Sequence, residues 1–148
     1  MVALSYYDAD VVMAITPNPI ALSLMFYDVT LRRESGEGYV GYKMLSTISD
    51  TLARFMNDNE DMVLCFYCDA TLDVKRHHDS MLPQEYRSRL FSRMFDMYVQ
   101  SHHLIDLINI CIKTEDSNNP QNKQFAHFIY RKQHEPVVAK MGKILMEK

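Results

Sequence analysis

Tryptophan is absent from this chain and glycine is scarce, with four residues, three of them at Gly36, Gly38 and Gly41. Backbone freedom is therefore concentrated in one loop. The core has to be filled without indole, and eleven methionines supply flexible substitutes. Three cysteines, at 65, 68 and 111, are too few and too odd in number for a disulfide framework. No apolar run reaches the roughly 18 residues of a membrane span. The start Met1–Ser5 lacks the charged head and long apolar segment of a signal peptide, so a cytoplasmic location is expected. The net charge is -3, which gives no global basic field for nucleic acid.

What is present is an alternation of strands and helices. Residues 11–16 and 20–31 read as strands separated by Pro17-Asn18-Pro19. Residues 42–56 place Met44, Leu45, Ile48, Leu52, Phe55 and Met56 on one face of a helix. Met62–Cys68 is a continuous apolar run of strand length, suited to a sheet covered on both faces. Pro83 suits the first turn of a helix that runs to Ser101. Residues 104–113 and 125–132 read as an antiparallel pair joined by a long polar, mobile loop, Thr114 to Lys123. Glu135-Pro136 opens a last helix. The expected fold is a single α+β domain over 1–148, ordered β-β-α-β-α-β-β-α. Its one sheet has about five strands, mostly antiparallel or mixed, covered by helices. The strand–helix–strand unit from 62 to 113 fits a right-handed parallel crossover.

Arg87 stands out by helical phase. At about 100° per residue, Tyr86, Leu90, Phe91, Met94, Phe95 and Tyr98 form an apolar face. Arg87 projects into it, while Arg89 and Arg93 project away. A guanidinium keeps its proton and is costly to bury unpaired, so an acidic partner is expected, with Asp69 and Asp73 just upstream. Asp69, Asp73 and Arg87 thus form either a structural clamp or a site for a small anion.

The stretches Met25-Phe26-Tyr27, Cys68-Asp69, Arg87-Ser88-Arg89-Leu90-Phe91-Ser92-Arg93-Met94-Phe95 and Arg131-Lys132-Gln133-His134-Glu135-Pro136 have a common source of likeness. Together they resemble a family of small uncharacterised proteins of unknown function found mainly in Bacteroidetes. The resemblance spans roughly residues 20–145. Met94 departs from it, standing where Trp is usual, and so does Glu135, standing where Asn precedes Pro. The resemblance implies no activity.

Other motifs have a chemical and a structural reading. Arg33-Glu34-Ser35-Gly36-Glu37-Gly38 fits the Arg-x-x-Gly-x-Gly loop of acetyl-CoA-dependent N-acyltransferases, where backbone N–H groups bind pyrophosphate. The order of helix, strand, helix, strand, strand that follows is similar to the C-terminal half of that fold. Against this stand Glu34, Glu37 and the few residues before Ile20. Cys65 and Cys68 have CxxC spacing, but residues three apart on a strand face opposite ways, so they read as core cysteines. His77 and His78 read as loop histidines, and no metal site is expected. His127 shares a strand face with Phe125 and Ile129 and reads as hydrogen-bonded and partly buried. Ser5 and Ser80 lack the context of a nucleophile. Arg89 and Arg93 read as a solvated basic face, which makes nucleic acid a minor prospect.

The function expected from sequence is non-catalytic binding of a protein partner or small anion, with no cofactor. The alternative is an N-acyltransferase-like enzyme that uses coenzyme A at Arg33, Gly36 and Gly38. Residues 125–132 read as an edge strand in need of protection, which a homodimer would supply.

Overall fold

The computed structural model describes residues 2–5, 11–18, 23–33, 42–68 and 81–146. Its elements are β1 (Val2–Ser5), β2 (Val11–Pro17), β3 (Met25–Arg33), α1 (Tyr42–Asp58), β4 (Met62–Cys68), α2 (Pro83–Ser101), β5 (Leu107–Asp116), β6 (Asn119–Arg131) and α3 (Glu135–Met146). A 3-10 turn at Lys132–His134 leads into α3. The strands form one sheet in the order β1-β2-β3-β4-β6-β5. All neighbours are antiparallel except β3 and β4, which are parallel and joined through α1.

Side-chain alternation divides the core in two. Met13, Ile15, Val29, Met62, Leu64, Phe66, Phe125 and Ile129 face α1 and α2, which contribute Ile48, Leu52, Met56, Phe91 and Phe95. Phe66 stacks on Phe91 with ring centroids 4.9 Å apart. The opposite sheet face carries Phe26, Val63, Cys65, Phe128 and Tyr130 and is covered by Val138 and Met141 of α3. Each fully buried side chain of this size contributes about 1.5–3 kcal/mol, so this double burial is the main stabilising term. The helix α3 lies close to β5: a Cβ on Gly142 would sit 2.9 Å from Ile112 Cδ1.

The fold class is the expected α+β, with β4 and α2 at their predicted bounds. A short sixth strand, β1, adds to the five expected. The strand placed at 20–31 runs over 25–33, and the one placed at 104–113 starts at Leu107, because Leu104 is used to close α2. The polar segment 114–123 is a continuation of the β5–β6 hairpin around Ser117-Asn118, with Thr114↔Gln124 and Asp116↔Asn119 paired. Its polarity marks solvent exposure, and the backbone ladder persists there. The strands at 62–68 and 107–116 do run parallel, but β6 is inserted between them. It follows that β6 is interior and that, among the described strands, β1 and β5 are the edges. Residues 125–130 are buried without a break, which is the signature of a strand covered on both faces. The argument for a homodimer through β6 therefore falls.

Candidate functional site

Three polar residues interrupt the buried face of α2 in its first two turns: Gln84, Arg87 and Ser88. Arg87 is 4% exposed, and Arg89 and Arg93 are exposed, as their helical phase requires. Arg89 reaches back to Glu85 at 2.8 Å. Arg87 has an interaction partner. Its proposed companions Asp69 and Asp73 lie outside the described residues, as do Gly36, Gly38, His77 and His78. Gln84 fastens the helix start to β6 by donating from Nε2 to the carbonyls of Gln121 (3.0 Å) and Lys123 (3.1 Å).

Ser88 belongs to a hydrogen-bonded chain that the sequence did not disclose. Its Oγ lies 2.7 Å from His127 Nε2, and His127 Nδ1 lies 3.0 Å from Asn109 Oδ1. Asn109 Nδ2 donates to Ser92 Oγ at 3.3 Å. With the imidazole neutral, one proton arrangement satisfies all of these contacts. Asn109 Oδ1 accepts from Nδ1–H, so Nε2 carries the lone pair and accepts from the Ser88 hydroxyl. Ser88 Oγ can then accept from the thiol of Cys111 at 3.5 Å. The chain has the polarity of a nucleophile, a base and an orienting amide. Its surroundings differ from those of a working triad. His127 is fully buried, with the Phe91 ring edge-on at 5.2 Å, and Ser88 is buried too. Burial pushes the imidazole down to about 4, so it stays neutral and is a weak base. The chain ties α2 to the β5–β6 hairpin. The visible signals for it were Ser88 beside Arg87 on the apolar face and Asn109 inside an apolar strand.

The second feature is the seam between β3 and β4. Their parallel ladder runs from Met25↔Met62 to Val29↔Phe66. Beyond it β3 continues to Arg33 paired only with β2, and Tyr67 and Cys68 pair only with β6. The ladder between the two strands thus ends near their C-terminal ends, where open sheets place ligands. One step past the last pair stand Thr30 and Tyr67, both exposed, with Tyr67 at 40%. Desolvation pushes the Tyr67 phenol up to about 12, with Cys65 and Asp28 adding to it, so the hydroxyl keeps its proton. Asp28 is held by Asn18, whose Nδ2 donates at 2.9 Å. Arg33 is the last residue of β3.

Cys65 and Cys68 point to opposite faces of the sheet, each into a separate core cluster. Burial pushes the Cys65 thiol well up, which leaves it unreactive. His102 and His103 are exposed at the end of α2. Arg131 is turned to Asp106 and to the Met56 carbonyl. No helix of the described residues is long and apolar enough to cross a membrane. Compared with protein-family models and with curated proteins, the chain has no match in either.

Proposed function

We propose that this chain binds coenzyme A and acts as an N-acyltransferase-like protein at the seam between β3 and β4. The observation that carries this is the end of the parallel β3–β4 ladder at Val29 and Phe66, near the C-terminal ends of both strands. The elements follow along the chain as β3, α1, β4, α2, β5, β6. This order agrees with the acyltransferase resemblance of the Arg33-x-x-Gly36-x-Gly38 stretch. Two antiparallel strands, β1 and β2, precede β3.

The residues at the gap suit the cofactor. Backbone groups of Thr30–Arg33 and Tyr67–Cys68 on the facing sides of the gap can bond an extended amide-bearing chain. Arg33 and the start of α1 suit a pyrophosphate. Tyr67, protonated at neutral pH, offers a hydroxyl donor at the lip. Bound there, acyl-coenzyme A would supply an activated thioester to an amine.

A melting series with coenzyme A and acetyl-coenzyme A tests this. Saturating ligand should raise the melting temperature, and Arg33→Glu should remove most of the rise, since it reverses the charge that the motif would offer the phosphates. An unchanged melting temperature at millimolar ligand would overturn the reading. The second reading, binding of a protein partner or small anion without chemistry, is favoured by the sealed Ser88–His127 pair. A shift with coenzyme A but no acetylation of any added amine would select it.

A further inference from the structure

The strand β6 is 13 residues long and β4, which lies against it, only 7. Their pairing ends at Cys68↔Phe125, and among the described strands nothing pairs with residues 119–124 on that side. The carbonyls show which residues face it. That of Gln124 accepts from Thr114 Oγ1 of β5 at 3.5 Å, so Gln124 turns toward β5. Gln121 and Lys123, out of step with it along the strand, turn toward the β4 side. A strand end of this kind presents a row of backbone donors and acceptors to any other strand. It shares no residue with the β3–β4 seam.

Side chains occupy that row. Gln84 Nε2 donates to both carbonyls, to Gln121 at 3.0 Å and to Lys123 at 3.1 Å. The Gln121 N–H donates to Asn119 Oδ1 at 3.1 Å. One side-chain amide from α2 thus stands where the next residues of a pairing strand would stand. Gln84 is 2% exposed, and its Oε1 has no hydrogen-bond partner among the described residues. An orphaned buried oxygen costs stability, and an apolar side chain of the same size would avoid that cost. Packing alone therefore does not account for an amide at this position, whereas the two carbonyls that its nitrogen covers do.

The strand end that Gln84 covers is suited to pairing with its own kind. Residues 117–124 read Ser-Asn-Asn-Pro-Gln-Asn-Lys-Gln, with five side-chain amides. Each amide carries donors and an acceptor, so like meets like, and ladders of Asn and Gln stabilise stacked strands. The one charge, on Lys123, is balanced by Glu115 at 3.8 Å. We infer that Gln84 is an edge guard: it closes the β4-side edge of β6 at Gln121 and Lys123 against strand pairing with a second copy of this chain.

Size exclusion with light scattering, run on the full chain over a concentration series, tests this. The parent should keep the monomer mass throughout. Gln84→Ala should move to twice that mass or more as concentration rises. The same substitution also loosens α2 from β6, so a second variant separates pairing from misfolding. Lys123→Pro removes an N–H that points to this edge and away from β5, a position where a strand tolerates proline. Gln84→Ala combined with Lys123→Pro should return to the monomer mass, which a merely misfolded chain would not do. The proposal is overturned if Gln84→Ala keeps the monomer mass at every concentration, if the parent itself associates, or if the double variant associates as the single one does.

Discussion

His127 is the residue whose surroundings depart most from what its position in the chain suggests. Phe66 and Phe91 surround it, and Ser88 and Asn109 use both of its nitrogens in the neutral form. Its pKa is about 4 in the folded chain, against an ordinary 6.5. The unfolded chain therefore binds more protons between those values. The stabilisation is fully present above pH 6.5 and is lost as pH falls through 4, by roughly 3 kcal/mol. Melting curves from pH 7.5 to pH 4 should show this loss, and His127→Gln should flatten that part of the profile. A variant as pH-dependent as the parent would show that another group is responsible. Sequence periodicity placed His127 on the correct strand face and as hydrogen-bonded. It could not name the partners, because Ser88, Asn109 and His127 come from three elements and meet only through packing. The burial of Arg87 was legible because a helix fixes side-chain phase within its own length.

Among the elements, α2 shows most clearly how local chemistry sets a boundary. Pro83 occupies its first turn, and its end is closed by Leu104 N–H donating to the Val99 carbonyl and His103 N–H donating to the Gln100 carbonyl. This six-to-one and five-to-two pattern needs a left-handed residue, and His103 takes that role with φ of 54°. A side chain there costs about 1 kcal/mol that glycine would avoid. His103→Gly should accordingly raise the melting temperature by roughly 2–4 °C. A fall would mean that the exposed imidazole makes a contact worth more than the strain. The same locality explains which elements could be read in advance. The run Met62–Cys68 and the helix from Pro83 carry their start and stop signals within themselves. The place of β6 in the sheet is decided by β4 and β5 on either side. Its unbroken apolar run, Phe125-Ala126-His127-Phe128-Ile129-Tyr130, was the available clue to an interior position.

At the scale of the whole molecule, the sheet consists of two antiparallel blocks, β1-β2-β3 and β4-β6-β5, joined by one parallel seam. Among the described side chains, burial is most continuous in the second block, where β4 and the buried half of β6 lie between the two helical layers. Hydrogen exchange should follow this ordering. Amides of Met62–Phe66 and Phe125–Ile129 should be the slowest, and those of the exposed hairpin end, residues 113–123, the fastest. Uniform protection along β5 and β6 would contradict it. The parting of the strands at the seam has a further consequence. Past Val29 and Phe66 each strand is still held on its far side, β3 by β2 and β4 by β6. The backbone groups that face the gap are consequently fixed in direction before anything enters it. Such preorganisation spares whatever pairs with those backbone groups the cost of ordering them.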